Sequence, residues 1–300
     1  MTITRAQFQL LLEPKLRNIW HDGTKTWDLL YPRFMNVGSS KKAQETDYQL
    51  TGLGSLAAIN EGENVVYDNP ISGSTKVYTH ATYGLGYKIT DEMIRHEQYG
   101  QMAKFERSLM RAAIDKQETD GTSVLNNAFS TSYVGFSTGE SLCSTSHARL
   151  DAGTANANRP STDISLGVTA LQNAVIQMRL WKDERGRPTR VKPKFLVIHP
   201  NDLMTARELL GSTQKPGTAN NEINAIRDEG LTFMDTPYLT DTNSWFLIGD
   251  EHDLNFIWDL RPTLTMDTEF DSDVIKRKVK EAYSFGFGYW IGVYGSSGTT

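Results

Sequence analysis

A chain of 300 residues with 38% hydrophobic and 22% charged side chains has the composition of a folded protein that buries a core, in one large domain or two smaller ones. Its formal net charge of −5 excludes the strong overall positive field typical of nucleic-acid-binding proteins, so we expect any contact with DNA to be local or loose. The one cysteine, Cys143, excludes an intramolecular disulfide and a cluster of cysteine metal ligands.

Residues 1–49 contain one amphipathic stretch and little other periodicity. Its apolar residues fall near helical spacing at Phe8, Leu11, Leu12, Leu16, Ile19 and Trp20. An apolar segment near a terminus is poorly placed on an isolated monomer. We therefore expect an arm that packs on another surface, such as a neighbouring subunit.

Residues 50–88 predict a long hairpin, because two apolar, β-favouring runs flank the turn-rich sequence DNPISGST at residues 68–75. A two-stranded hairpin that stands alone is marginally stable in water. The sequence therefore predicts a partner surface for it.

A long helix is predicted next, from Asp91 to about Asn126. Its apolar residues lie close to a heptad stripe, at Ile94, Met102, Phe105, Leu109 and Ala113. Such a helix would span roughly 50 Å, much more than the average helix of a compact domain, and would act as a strut.

The second half begins with a polar connection at residues 127–162, followed by a helix from Asp163 that ends before the charged turn KDERGRP. A strand at residues 195–198, a turn at His199 and a short helix from Asn201 then predict an α/β or α+β unit. Two more strands are predicted at residues 231–235 and 245–248.

The last forty residues predict a long strand, because apolar and polar or small side chains alternate from Ile275 onward. The apolar face carries Val279, Tyr283, Phe285, Phe287, Tyr289, Ile291 and Val293, and the other face carries Lys276, Lys278, Lys280, Ser284, Gly286, Gly288 and Gly292. The basic run at residues 276–280, which includes Arg277, could contact phosphates. Its alternation favours a solvated strand face or a ladder of ion pairs between subunits.

Gly84 and Gly86 precede the long helix but do not match a phosphate-binding pattern, because the Walker and dinucleotide spacings are absent. A turn or a strand distortion is the better interpretation. Glu92 and His96, with Glu97 beside them, have the spacing of two metal ligands, but position 100 is glycine where a zinc-binding HExxH motif needs histidine. A local charge pair is favoured, and we expect no metal and no cofactor.

The polar connection invites a hydrolase hypothesis through Ser144, Ser146, His147 and Asp151, and a thiol one through Cys143. Neither has a GxSxG elbow or another local signature, so chance proximity in a serine-rich loop is favoured, with Cys143 as an inert small side chain. No stretch approaches the length of a membrane helix, and the polar start does not resemble a secretory signal. We expect a protein without a membrane partner that acts where it is made.

The order of elements resembles that of the major capsid proteins of tailed bacteriophages with the Hong Kong 97 fold, most closely the Mu-like head subunits. The matching sequences are YGLGYKITDEMIRHEQYGQMAKFERSLMRAAIDKQETDG, LCSTSHARLDAGTANANRPS, KFLVIHPNDLMTARELLG and RKVKEAYSFGFGYWIGVYGSSG. The resemblance implies an α+β capsid fold with an N-arm at residues 1–49, an extended hairpin (E-loop) at 50–88, a P-domain with a spine helix at 89–160, an A-domain at 161–252, and return strands of the P-domain at 253–300.

The same resemblance implies a function without catalysis, in which hexamers and pentamers form an icosahedral shell around double-stranded DNA. Implied partners are a separate scaffolding protein, a maturation protease, a portal protein and loosely held DNA. The implied location is the virion, after assembly in the bacterial cytoplasm. The alternatives are a tail or decoration protein and, with less support, a metal- or serine-dependent hydrolase.

Specific residues can be assigned to this expected assembly. Gly84 and Gly86 are predicted hinge positions, since the resemblance implies that the E-loop moves during maturation. The predicted contacts between subunits are Phe8, Leu12, Leu16, Trp20, Val65, Tyr67, Ile71, Tyr78, Lys276 and Lys278.

Overall fold

The computed structural model describes residues 5–90, 92–93, 99–136, 139–215, 222–269 and 274–298, apart from the side chains of residues 5–13, 24–25 and 99. The helices are α1 (Arg5–Thr26), α2 (Tyr31–Phe34), α3 (Tyr99–Asn126), α4 (Val168–Leu180), α5 (Leu203–Gly211) and α6 (Ala225–Asp228), with a 3₁₀ turn at Pro200–Asp202. The strands are β1 (Asn36–Ser39), β2 (Gln44–Leu50), β3 (Ser72–Thr79), β4 (Ala81–Ile89), β5 (Pro193–Ile198), β6 (Thr232–Asp235), β7 (Trp245–Gly249), β8 (Leu254–Thr268), β9 (Ile275–Phe287) and β10 (Val293–Ser296).

The first sheet has the strand order β1-β8-β9-β4 and is covered on one face by the two long helices. Strands β8 and β9 form an antiparallel pair, and β4 adds to β9 as an antiparallel edge strand. Strand β1 pairs with β8 in parallel, a contact that the sequence pattern did not predict. Helix α3 spans roughly 42 Å at 1.5 Å per residue, and it ends at Asn126 as predicted.

The predicted arm is largely helix α1, which packs on α3 of the same chain. Leu16 and Trp20 are 2% and 5% exposed, in clusters with Met102 and Met110 of α3. The prediction that these two residues contact another subunit is therefore wrong, because their apolar surface is already covered within one chain. The side chains of Phe8 and Leu12 lie outside the described residues.

The second sheet has the order β10-β7-β5-β6, and its strands confirm those predicted from residue 195 to residue 249. Leu196, Val197 and Ile198 are fully buried in the larger core cluster. Helix α4 begins at Val168 rather than at Asp163, because the backbone of Gly167 at its N-cap is extended.

The alternation from Ile275 onward correctly predicts strand β9 and its buried face, but the strand ends at Phe287. The chain turns at residues 288–292, where Gly292 has a φ of 101° that favours glycine. Strand β10 then pairs with β7 in the other sheet. The predicted single strand is therefore two strands that belong to different sheets.

The hairpin exists, but its strands and turn differ from the prediction. Strands β2 and β3 pair with each other, and residues 51–71 between them contain no regular strand. The turn predicted at residues 68–75 is wrong in its second half, since Ser72–Thr79 is strand β3. Strand β4 belongs to the first sheet rather than to the hairpin.

Candidate assembly interface

The segment at residues 51–71, here called the hairpin loop, exposes an unusual amount of apolar surface. Leu56 is 103% exposed and Tyr67 91% exposed. Other exposed apolar side chains of the loop are Leu53, Ile59, Val65, Val66 and Ile71. Several exposed apolar side chains concentrated in one segment mark an interaction site. The exposed segment includes three of the predicted subunit contacts, Val65, Tyr67 and Ile71. Their contact role stays a prediction.

The hairpin loop is also acidic, since it contains Glu61, Glu63 and Asp68 and no lysine or arginine. Its tip is a turn in which the Glu63 amide donates to the Asn60 carbonyl at 3.1 Å and Gly62 has a φ of 88°. The Asn60 amide groups donate back to the Glu63 carboxylate, and these hydrogen bonds lower the pKa of Glu63. The tip is thus negatively charged at neutral pH.

The base of the hairpin is anchored to the turn at residues 183–187. Arg185 donates to the Asn69 carbonyl at 2.7 Å, and its guanidinium lies 3.6 Å from the Asp68 carboxylate. The Glu184 carboxylate accepts from Gln49 at 3.2 Å and from the Tyr289 hydroxyl at 2.6 Å. The loop therefore has a defined attachment, although its apolar side chains have little cover.

Tyr78, near the end of β3, was predicted to contact another subunit, and the structure contradicts this. It is 2% exposed and packs beside Gly286 of β9, while the side-chain amide of Asn255 donates to its hydroxyl at 3.4 Å. Burial raises the pKa of the Tyr78 hydroxyl well above its usual range. Tyr78 holds the hairpin against its own sheet.

The face of the first sheet that points away from α3 is rich in lysine. Lys88 of β4 lies opposite Lys276 of β9, and Lys278 and Lys280 follow on the same face. Lys276 forms an ion pair with Glu269 at 2.9 Å. No ion pair involves the other three lysines among the described residues, and we call Lys88, Lys278 and Lys280 the lysine face. Lys278 and Lys280 are exposed, as expected for either a solvated strand face or a ladder of ion pairs between subunits. The predicted subunit contacts of Lys276 and Lys278 stay a prediction.

Gly84 and Gly86 lie within β4, in an uninterrupted antiparallel register with Lys280 and Lys278. The expected turn or strand distortion is therefore wrong. At Gly86 a Cβ atom would lie 2.6 Å from the Arg277 carbonyl oxygen, whereas at Gly84 the corresponding distance to the Val279 oxygen is 3.3 Å. Close approach of two strands explains the glycine at position 86. The hinge role of both residues stays a prediction.

The opposite face of β9 carries a buried ion pair that the sequence reasoning missed. Arg277 is 2% exposed and donates to the Glu106 carboxylate of α3 at 2.7 and 3.0 Å, and the Tyr87 hydroxyl donates to the same carboxylate at 2.7 Å. The sequence prediction places Arg277 in the basic run at residues 276–280. The alternation itself contained the signal, since Arg277 shares its face with Ile275 and Val279.

A second polar cluster joins α3 to β9 around Glu281. Gln117 donates to the Glu281 carboxylate at 2.7 Å, and the Tyr283 hydroxyl donates to Asp120 at 2.8 Å. Burial, with a smaller contribution from the negative charge of Asp120, raises the pKa of Glu281 to about 7. Lys116 forms an ion pair with Asp120 at 2.7 Å and offsets part of that charge.

The hydrolase hypothesis finds no support in the geometry of the polar connection. His147 is 1% exposed and stacks on Trp290 with ring centroids 4.3 Å apart. Its ring nitrogens contact Glu140 at 3.1 Å and Asn158 at 2.8 Å rather than a serine hydroxyl. Burial lowers the pKa of His147 and raises that of the Cys143 thiol. Both side chains are core residues.

The metal hypothesis can be examined only in part, because His96 and Glu97 lie outside the described residues. Among the residues that the structure describes, no group of three histidine, cysteine or carboxylate side chains could hold a metal ion. In the same part of the chain, no helix has the length and apolarity needed to cross a membrane.

The chain combines a long helix on a sheet, a second mixed sheet and an exposed apolar hairpin. These features define a class of protein that works by association with further copies or partners. A family model described as phage capsid protein matches residues 73–296. The chain belongs to this phage capsid protein family. No curated protein sequence gives a significant match.

Solved structures show the same fold at low sequence identity. The procapsid protein of bacteriophage JBD30 is 14% identical, with a TM-score of 0.54 over 99% of this chain and 77% of that chain. The capsid protein of cyanophage P-SCSP1u is 10% identical, with a TM-score of 0.58 over 89% and 87%. The virus-like particle protein from Pyrococcus furiosus is 11% identical, with a TM-score of 0.55 over 94% and 98%.

The predictions of a Hong Kong 97-like capsid fold and of a tailed-phage major capsid protein are confirmed by these matches. The protein is therefore a structural subunit of a viral shell. The special likeness to Mu-like subunits stays a prediction.

Proposed function

We propose that copies of this chain form hexamers and pentamers that close into an icosahedral shell around double-stranded DNA, with the hairpin loop of each copy lying across an adjacent copy. The observation that carries this proposal is the exposed apolar surface of the hairpin loop, above all Leu56 and Tyr67. Repeated contacts of this heterologous kind close into rings when the rotation between copies fits.

The energetic argument rests on burial. Full burial of one large apolar side chain contributes about 1.5 to 3 kcal/mol. The loop carries several such side chains, including Leu53, Ile59, Val65 and Val66. Even partial burial in each copy, repeated around a ring, offsets the entropy lost when subunits associate. In isolation the same surface would favour nonspecific aggregation.

In this proposal the two sheets have separate roles. The first sheet, with α3, corresponds to the P-domain, and the second sheet, with α4 and α5, corresponds to the A-domain. The hairpin corresponds to the E-loop and α1 to the N-arm. Helix α3 gives the subunit the stiffness that a shell wall needs.

The proposed role requires no bond to be made or broken by the chain. The burial of Cys143 and His147 supports a purely structural role, because neither side chain is placed as a nucleophile or a base. The proposed partners are a separate scaffolding protein, a maturation protease, a portal protein and packaged DNA, which the acidic chain holds loosely. Assembly would take place in the bacterial cytoplasm before the subunit is part of the virion.

The experiment compares the wild type with the variant Leu56→Ser/Tyr67→Ser after expression with the scaffolding protein, using electron microscopy and sedimentation. We expect shells or capsomer rings from the wild type and at least a tenfold lower yield from the variant. The matched control, Leu180→Ser/Met204→Ser, changes two side chains of α4 and α5 that are 69% and 63% exposed, and should assemble normally. A wild-type protein that remains a monomer would overturn the proposal, as would tubes or spikes in place of shells.

A further inference from the structure

The acidic tip of the hairpin loop and the lysine face carry opposite charges. Neither of them forms an ion pair among the described residues. The acidic tip consists of Glu61 and Glu63 on either side of Gly62. Both side chains are exposed, and no ion pair involves them among the residues that the structure describes. The three side chains of the lysine face are likewise exposed and form no ion pair among the described residues.

We propose that the acidic tip of one copy docks on the lysine face of a second copy, with Glu61 and Glu63 paired to Lys278 and Lys280. This inference rests on the proposed function and specifies which surface of the neighbour receives the hairpin loop.

The spacing of the charges supports the pairing. Lys278 and Lys280 are two residues apart on one face of β9, so their Cα atoms lie about 6.6 Å apart. Glu61 and Glu63 are also two residues apart, and two residues span at most roughly 7 Å. Two carboxylates can therefore meet two ammonium groups at once.

The surface beside these lysines has room for the tip. Across the strand pair, Gly86 and Gly84 lie opposite Lys278 and Lys280, so no side chain of β4 stands on that face at either position. On the other side, β8 presents the small side chains Thr265 and Thr263. Lys278 and Lys280 thus project from a shallow surface with glycine backbone on one side, where their aliphatic stems can contact the apolar residues beside the tip.

Neighbouring described parts of the same sheet face are less suited to this pairing. Lys276 is already engaged with Glu269 and lies opposite Asp267, so it would contribute less to an acidic ligand. Beyond Lys280 the same face is covered by the hairpin base, where Tyr78 packs against Gly286. Charge therefore fixes where the tip docks, while the apolar side chains of the loop supply most of the affinity.

A charge-reversal experiment tests the contact. The variants Lys278→Glu/Lys280→Glu and Glu61→Lys/Glu63→Lys should each lower the yield of shells at least tenfold, since like charges then meet. The chain that carries all four substitutions should recover most of the yield. A one-to-one mixture of the two double variants should also recover capsomers, because each tip then meets a complementary face on the other variant.

Controls separate this inference from loss of folding and from failure of the proposed function. Lys192→Glu/Lys194→Glu makes the same change of charge at two exposed lysines with the same spacing, and should assemble as the wild type does. Circular dichroism should show that all variants keep the wild-type fold. If the wild type itself forms no shell, the proposed function fails, whereas normal assembly of every variant overturns only the contact.

Three further outcomes would overturn the inference. Failure of the four-substitution chain would show that the two charge sets do not meet. Recovery in that chain but not in the mixture would place the contact within one chain. Normal shells of Lys278→Glu/Lys280→Glu that lose packaged DNA would assign the lysine face to the genome.

Discussion

The buried ion pair between Glu106 and Arg277 provides the sharpest test of how helix α3 is held to its sheet. In the variant Arg277→Met, the Glu106 carboxylate would keep only the hydrogen bond from Tyr87 and would lose the two from the guanidinium. Loss of one partner of a buried pair costs about 3 to 5 kcal/mol, because the remaining charge is uncompensated. Whole-domain stabilities are about 5 to 15 kcal/mol, so this loss is large.

The assay is urea denaturation of the unassembled subunit, followed by tryptophan fluorescence. The matched control is Lys278→Met, which removes the exposed lysine next to Arg277 in β9 and should change the free energy of unfolding by less than about 0.5 kcal/mol. The double variant Glu106→Leu/Arg277→Met should recover most of the loss, since neither charge of the pair remains.

The reasoning would be refuted by either of two results. One is a loss below about 1 kcal/mol for Arg277→Met, which would mean that the pair is hydrated or that the strand moves to expose it. The other is a double variant that is no more stable than the single one, which would assign the loss to packing rather than to the unpaired carboxylate.

Three other predictions concern the same sheet and its neighbours. Gly86→Ala should destabilise the subunit by about 1 to 3 kcal/mol in urea denaturation and Gly84→Ala by less, because only the first Cβ would press on the β9 backbone; equal losses would contradict this. Because the pKa of Glu281 is raised, the folded state favours the neutral acid. The stability that this preference contributes is fully present below pH 4.5, and it is lost as the pH rises to about 7 and the side chain ionises. Glu281→Gln should therefore stabilise the subunit at pH 8 by up to roughly 3 kcal/mol but not at pH 4, and a pH-independent difference would count against it. His147→Ala should lower the melting temperature and the shell yield together, whereas a loss of hydrolysis with normal shells would revive the hydrolase hypothesis.

The sequence predicted those elements whose pattern is set locally. Strand β9 was predictable because its alternation reflects one buried face. Strands β5 and β7 were predictable because residues 195–198 and 245–248 are apolar throughout. The carboxyl end of α3 was likewise predictable from its apolar stripe and the polar segment beyond it.

What failed depended on contacts between distant segments. The apolar side chains of the hairpin loop suggested a strand, but a strand needs a hydrogen-bonded partner strand, and no strand of the described residues pairs with the loop. The burial of Trp20 by α3 could not be distinguished from burial by another subunit, since both require the same apolar face. The parallel pairing of β1 with β8 has no local signal, because only four residues take part.

The order of strands in the two sheets has a consequence for synthesis of the chain. In the first sheet, β1 and β4 can pair only with β8 and β9, which lie beyond residue 253, and in the second sheet β10 completes the edge beside β7. A ribosome adds about 5 to 20 residues per second, so the early segments wait many seconds for their partners. The lysine face, which needs β9, is formed only when most of the chain has been made. In the proposed assembly, nascent subunits would therefore offer no docking surface to one another until translation is nearly complete.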